Sequence, residues 1–442
     1  MAGKLFGTDG VRGVVGEAVT AELALALGNA AATVSDERRP QVLIVRDTRE
    51  SGPMLEAGLA AGVAAAGGDA WLAGVLPTPA ASILVRRHGL DLAAVISASH
   101  NQWTDNGIKF FDADGRKLDD ETEGAIESQV LAGRTTTLAG DDARGGVRGL
   151  EGALDDYLRE LQTAFPIDLS GRRVVLDCAH GATYRAAPAA FERLGAEVEV
   201  IGAEPTGRNI NAGFGSTSPE ALAARVPAAG ASVGFAFDGD GDRVLAVDRR
   251  GAIRDGDELI ALVARHLASA GRLNGGVAVT VMTNHGFHQA MAEAGVEVET
   301  TAVGDRHLSE ALAERGWSLG GEQSGHIIWT EFAPTGDGIA AALLAMSALG
   351  ERDLGELAPM AKLPQLLRNV EVSDREAVAG AKEVWAAVER ENAALEGHGR
   401  VLIRPSGTEP LVRVMVEAGE EAECEAICER LVAVVERELG TP

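Results

Sequence analysis

Val42-Leu43-Ile44-Val45, then Arg46-Asp47-Thr48-Arg49, then a small-residue run to Gly67-Gly68, then Ala70-Trp71-Leu72-Ala73: this stretch decides the fold. It reads as a buried strand, a polar loop, a helix closed by glycine, and a second strand. The unit recurs. Val174-Val175-Leu176 leads through Asp177-Cys178-Ala179-His180-Gly181 and a helix ending at Leu194-Gly195 to Val198-Glu199-Val200-Ile201. Val277-Ala278-Val279-Thr280-Val281 leads through Asn284-His285-Gly286 and a helix ending at Gly295 to Val296-Glu297-Val298. A short crossover helix implies parallel pairing with a right-handed connection. Functional loops then lie at the carboxyl ends of those strands.

After Pro364 the pattern changes. A strand is predicted at residues 370–372, a helix at 377–395, a hairpin from 401–403 and 412–416, and a last helix at 420–439. The expected fold is α/β: three similar α/β domains with mixed or parallel sheets, plus a C-terminal α+β domain, around a central cleft. The domains are expected at residues 1–150, 151–252, 253–364 and 365–442. At 442 residues the chain is too long for a single core.

Composition narrows the function classes. The formal charge is −26, from 40 basic and 66 acidic residues. Such a balance opposes binding to nucleic acid and to anionic membranes. Cys178, Cys424 and Cys428 make no disulfide framework and no zinc site, and read as plain thiols in a reducing compartment. No signal-peptide core opens the sequence, and no apolar run approaches roughly 18 residues. The expected location is cytoplasmic.

Asp238-Gly239-Asp240-Gly241-Asp242 carries the clearest chemistry. Residues 233–237 and 244–247 flank it as strands, so the carboxylates share a strand-to-strand bend. Close like charges cost free energy unless a cation neutralises them, and oxygen ligands alone favour Mg²⁺ over Ca²⁺. A solvated acidic turn is the bland alternative. An EF-hand fits poorly, because Arg243 and Arg249 occupy the places of its turn glycine and last glutamate.

Other loops supply the complement. Ile96-Ser97-Ala98-Ser99-His100-Asn101 leaves a buried strand and presents Ser99, with His100 and Lys109 nearby to move a proton or hold a phosphate. Arg404-Pro405-Ser406-Gly407-Thr408-Glu409-Pro410, with Arg413 beyond, has the donors of a phosphate cradle. Gly321-Glu322-Gln323-Ser324-Gly325-His326 offers groups suited to sugar hydroxyls: Glu322 accepts, while Ser324 and His326 donate or accept. Phe6-Gly7-Thr8-Asp9-Gly10-Val11-Arg12-Gly13 places one arginine in a glycine-rich turn. Taken singly, each is also an ordinary turn or hairpin loop. No serine-hydrolase elbow, Walker loop or Rossmann fingerprint is present. Together the loops describe a site for a phosphorylated, hydroxyl-rich small molecule beside a metal.

Taken in chain order, the motifs resemble the α-D-phosphohexomutase superfamily over essentially the whole chain. The opening residues 6–13 and Gln323 are similar to its glucosamine-phosphate branch more than to its glucose- or mannose-phosphate branches. The resemblance implies an isomerase that interconverts glucosamine 6-phosphate and glucosamine 1-phosphate, feeding amino-sugar and cell-wall precursors. Ser99 would be the phosphorylated residue. Asp238, Asp240 and Asp242 would hold one Mg²⁺ per chain together with the phosphoserine oxygen. Arg243, Arg12 and Lys109 would border the transferring group, and His326 is a candidate acid/base. Glu322 and Ser324 would recognise the sugar; Arg404, Ser406, Gly407, Thr408 and Arg413 would hold the other phosphate.

Glucosamine 1,6-bisphosphate is implied as intermediate and primer. Ser99 would be activated by a kinase or by autophosphorylation, in a monomer or homodimer. Gln102-Trp103 departs from the usual proline–aromatic pair, Val45 from a glycine, His180 from an asparagine, and Phe214 and Ser218 from the pattern of residues 209–219. The rival readings are a glucose- or mannose-phosphate mutase, a silent phosphosugar-binding protein and a Mg²⁺-dependent phosphatase.

Overall fold

The computed structural model describes residues 5–7, 9–35, 37–133, 145–395, 397–406 and 410–440. Its contacts divide it into two units, Met1–Met282 with Val296–Ala358, and Thr283–Gly295 with Pro359–Pro442.

In the larger unit, β1 (Val11–Val14), β2 (Gln41–Arg46), β3 (Asp69–Val75), β4 (Leu92–Ile96), β5 (Asp105–Asp112) and β6 (Val147–Gly149) form a sheet in the order β1-β5-β4-β2-β3-β6. As the first repeat predicts, β2 runs parallel to β3; it is also parallel to β4. β5 turns back antiparallel to β4, so residues 97–104 form the loop between them. With the sheet go α1 (Ala21–Val34), α2 (Gly52–Ala65), α3 (Thr78–His88) and α4 (Asp120–Leu131). α1 and α2 meet backbone to backbone: a Cβ on Gly62 would lie 2.0 Å from the Leu25 carbonyl oxygen. Leu27, Ile44, Leu55, Leu59 and Ile96 fill the core between sheet and helices.

A second sheet contains β7 (Arg173–Asp177), β8 (Glu197–Ile201), β9 (Val233–Phe237), β10 (Val244–Asp248) and β11 (Ile253–Arg254), in the order β11-β10-β9-β7-β8. β7 is parallel to β8 and β9, whereas β9 and β10 form an antiparallel hairpin whose bend is the acidic stretch. Both hairpin strands are largely buried, which fixes the base of that bend. Its helices are α5 (Ala153–Ala164), α6 (Ala186–Arg193) and α7 (Glu220–Ala229).

The third sheet, β13-β12-β14-β15, uses β12 (Val277–Thr280), β13 (Val298–Thr301), β14 (Leu319–Gly321) and β15 (Ile327–Trp329). β12 and β13 are parallel, as the third repeat predicts, although β12 stops at Thr280 and β13 begins only at Val298. Its chain segment includes α8 (Gly256–Ser269), α9 (His285–Glu293), α10 (Asp305–Arg315) and α11 (Gly338–Leu349). α8 opens with a capping box, Asp255 and Glu258 each bonding the other's backbone N–H.

The smaller unit holds α9 and an antiparallel sheet β16-β18-β17 of β16 (Gln365–Glu371), β17 (Arg400–Pro405) and β18 (Leu411–Glu417). α12 (Lys382–Leu395) and α13 (Glu421–Leu439) complete it. The helix predicted from 377 is two pieces: a 3₁₀ turn at Arg375–Gly380, then α12. Gly380 sits at the break, where a residue of low helix propensity ends the turn, and the Trp385 indole caps the Val378 carbonyl at 2.8 Å. Cys424 and Cys428 are free thiols packed into this unit's core with Val412, Val414 and Leu431. The fold is thus three α/β domains and a C-terminal α+β unit. Among the described residues no helix is long and apolar enough to cross a membrane.

Candidate active site

The acidic bend gathers its carboxylates because alternate residues project to one side while glycines tighten the chain between them. Asp238, Asp240 and Asp242 are all buried, and each offers an oxygen within 4.8 Å of the others. A Cβ at Gly239 would lie 2.5 Å from the Ser99 carbonyl oxygen, so only glycine lets the bend approach the serine loop this closely. Asp238 Oδ1 accepts from Gly241 N at 3.0 Å and Arg243 N at 3.2 Å. Asp240 Oδ2 accepts from Thr78 Oγ1 at 2.6 Å and Lys109 Nζ at 2.9 Å. The other oxygens of Asp240 and Asp242 are buried with no hydrogen-bond partner. Native interiors rarely leave such atoms unpaired, and an oxygen-only donor set of this charge suits a hard cation. The triad has the arrangement and the donor chemistry to hold a metal ion.

Its electrostatics agree. Burial, then repulsion from Asp242 and Asp240, pushes the Asp238 carboxyl well above the usual carboxylate range. Asp242 goes the other way: burial opposes, but His326, Lys109 and Arg243 hold it well below. Lys109, buried, is pushed up against its own desolvation by Asp240, Asp9 and Asp242.

Ser99 faces this cluster. Its Oγ donates to Asp238 Oδ2 at 2.6 Å, and its φ of 49° is left-handed, unusual for a non-glycine residue. The His100 Nδ1 lies 3.4 Å from the same hydroxyl, and burial, then Arg243 and Arg12, lowers the pKa of that imidazole. Arg12 pairs with Asp9, which lies 3.8 Å from Lys109. Lys117 bridges Asp9 to Asp305 at the start of α10.

Of the expected sugar-loop residues, Glu322 accepts from Gly304 N at 3.1 Å and from Ser324 Oγ at 3.2 Å. His326 is buried, with Nε2 accepting from Gly336 N at 3.3 Å and Nδ1 facing Asp242 Oδ2 at 3.8 Å. Arg243 and His326 face each other across a two-residue bridge that ties the acidic bend to the sugar loop. Five expected residues, Ser99, Asp238, Asp240, Asp242 and Lys109, therefore meet in one place.

The smaller unit carries Arg404, Ser406 and Arg413. Arg404 and Arg413 stand directly opposite on β17 and β18. Like charges in that register repel, and burial followed by Arg413 lowers the Arg404 pKa. An anion is the natural relief. Gly407 and Thr408 lie outside the described residues.

Sequence reasoning passed over Thr78, Lys117 and Asn211. It quoted Asp9, Asp47 and Arg49 without giving them a task. Thr78 had a signal, a Pro-Thr-Pro helix start directly after a strand. The others carry little, because many of their partners are backbone atoms or side chains far along the chain.

Comparison with known proteins agrees with this geometry. The chain matches the phosphoglucomutase/phosphomannomutase α/β/α domains I, II and III at residues 3–137, 155–251 and 255–364, and the C-terminal domain at 367–434. It is 50% identical over 440 residues to the phosphoglucosamine mutase of Desulforudis audaxviator, covering 98% of each chain. A phosphoglucomutase/phosphomannomutase family protein from Burkholderia thailandensis superposes with TM-score 0.83 at 24% identity, covering 100% of both chains. The N-acetylphosphoglucosamine mutase of Aspergillus fumigatus, solved in complex with GlcNAc-6P and magnesium, superposes with TM-score 0.69 at 19% identity over 99% of this chain and 96% of that one. With four consecutive domain matches and a relative of full length, this chain belongs to the phosphoglucomutase/phosphomannomutase family.

Proposed function

We propose that this enzyme interconverts glucosamine 6-phosphate and glucosamine 1-phosphate through a phosphorylated Ser99 and glucosamine 1,6-bisphosphate. The observation that carries the reading is the Ser99 hydroxyl, 2.6 Å from Asp238 inside a buried carboxylate triad with unpaired oxygens. Half of all positions are identical to a phosphoglucosamine mutase, which supports the amino sugar over glucose or mannose.

Asp238, Asp240 and Asp242 would hold one Mg²⁺. When bound it would neutralise charge on the transferring phosphoryl group. Lys109 would bring a buried positive charge to the same group, with Arg243 and Arg12 at its border. In the first transfer the Ser99 Oγ–phosphorus bond breaks as the sugar hydroxyl oxygen bonds to phosphorus, and the proton the sugar loses ends on Ser99 Oγ. In the second the opposite phosphate returns to Ser99, and the oxygen it leaves takes a proton back. No external nucleotide is needed. Glu322 and Ser324 would accept and donate to sugar hydroxyls, while Arg404, Ser406, Gly407, Thr408 and Arg413 would hold the phosphate not in transfer. The acid/base role expected of His326 finds less support, since both ring nitrogens face protein groups; orienting Asp242 suits it better. The boundaries at 150, 252 and 364, activation at Ser99, the bisphosphate primer and a cytoplasmic setting complete the proposal.

The test is turnover on the glucosamine, glucose and mannose phosphates, with intact mass and peptide mapping after addition of glucosamine 1,6-bisphosphate. A phosphate on Ser99, preference for the amino sugar and loss of turnover in Ser99→Ala are expected. Undiminished turnover in Ser99→Ala would sink the phosphoserine route, preference for an unaminated sugar would move the substrate, and net phosphate release would mean a phosphatase.

A further inference from the structure

The loop that presents Ser99 is gripped by a side chain from another part of the same sheet. Arg49 follows β2, and its side chain is wholly buried. All five of its N–H donors are used. Nε donates to Asp47 Oδ2 at 2.8 Å. Nη2 donates to the carbonyl oxygens of Ser99 and Asn101, each at 2.9 Å. Nη1 donates to those of Gln102 and, at 2.9 Å, Asp105. One guanidinium thus holds three carbonyls of the loop at residues 97–104 and a fourth, that of Asp105, at the first residue of β5.

The grip is itself held. Asp47 Oδ1 accepts from the Arg49 backbone N at 2.9 Å, and Asp47 Oδ2 accepts from Ser97 Oγ at 2.6 Å. Ser97 Oγ in turn accepts from the Ser99 N–H at 2.9 Å. Asn211 Nδ2 reaches the same Ser99 and Asn101 carbonyls at 2.9 and 3.1 Å. Both faces of the Ser99 peptide are therefore fixed, and this is where the chain adopts its left-handed φ of 49°. L-residues keep such a conformation only where the surroundings determine it.

We propose that Arg49 is the positioning residue of the phosphoryl relay: it locks the main chain of the Ser99 loop so that the serine oxygen keeps one place through both transfers. The proposal rests on the mutase reading above for the transfers themselves. The demand is strict because the sugar must turn over between the two steps while the serine cannot move with it. Transfer rates fall steeply with misplacement of the reacting atoms. Lysine cannot substitute, since three donors on one point cannot span four carbonyls and a carboxylate. The departure at Gln102-Trp103 is explained as well: Arg49 takes only the Gln102 carbonyl, so its side chain is free to change.

The test uses the full chain with Arg49→Lys and Arg49→Ala. Backbone hydrogen exchange is followed by mass spectrometry, and kcat and KM are measured on glucosamine 6-phosphate. In Arg49→Lys we expect faster exchange confined to the peptides covering residues 97–105, kcat lowered by about 10²-fold, and KM within about 3-fold of wild type. Millimolar guanidinium, but not ammonium, should restore part of the rate to Arg49→Ala. Unchanged exchange in that loop, a kcat loss no larger than the loss of folded protein, or equal rescue by ammonium would overturn the proposal. If Arg49→Ala fails to fold, Arg49→Lys decides by the same exchange and kcat criteria. Wild-type protein inactive on sugar phosphates would instead reject the mutase reading, and loop exchange would still judge Arg49.

Discussion

The acidic bend and the serine loop lie against each other and are built on opposite principles. In the bend, charge is concentrated and left incomplete: three buried carboxylates, with an unpaired oxygen on Asp240 and on Asp242. In the serine loop, the polar groups around Ser99 are satisfied: the Ser97 hydroxyl, the Ser99 N–H and the carbonyls of Ser99, Asn101 and Gln102 all have partners. One region is shaped to receive something; the other is shaped to stay as it is. The difference separates a binding element from a positioning element by the state of its hydrogen bonds.

If that contrast holds, damage to the bend should depend on metal and damage to the loop should not. The largest effect is expected from Asp238→Asn, which removes a carboxylate crowded by Asp242 and Asp240. Turnover should fall by about 10³-fold, equivalent to about 4 kcal/mol of transition-state stabilisation. In chelator the same variant should melt no lower than wild type, because a repelled charge has gone. A clear loss of stability in chelator would break the comparison.

A smaller, pH-dependent effect is expected at Asp177. Burial pushes its carboxyl up to about 6 despite bonds from the N–H groups of Gly215 and Ala179. Since this folded value lies above the unfolded one, 3.8, the native state takes up the proton first. Its contribution to stability therefore grows as pH falls through 6 toward 4, and is lost as pH rises through that window. Urea unfolding of wild type and Asp177→Asn across pH 4 to 7 should differ by a term that changes by up to roughly 2–3 kcal/mol. A pH-independent difference would remove Asp177 from consideration. The smallest effect is expected from Ser97→Ala. It leaves the Ser99 N–H without its partner and should cost about 1–3 kcal/mol. That loss should be equal with Mg²⁺ and with chelator.

The same contrast explains what could be read from the sequence. The bend was legible because its chemistry is local: three aspartates within five residues, framed by two apolar runs. The repeats were legible for a similar reason, since strand, helix and closing glycine follow one another directly, and the parallel pairs β2–β3, β7–β8 and β12–β13 followed. Arg49 was not legible. Its partners are carbonyls 50 to 56 residues away, and a carbonyl has no residue identity for a sequence to display. The break at Gly380 was missed because apolar spacing continues across it; a 3₁₀ turn and a helix bury similar positions there.

The hold on the serine loop also has an optical consequence. Trp103 lies within that loop, with the Arg208 guanidinium 5.1 Å from its ring centroid, between Gln102 and Asp105, whose carbonyls Arg49 holds. Indole emission is sensitive to a nearby cation and to solvent. The chain therefore carries its own fluorophore four residues from the serine, and with the remaining tryptophans replaced, its signal would follow phosphorylation of Ser99 in real time without any added label.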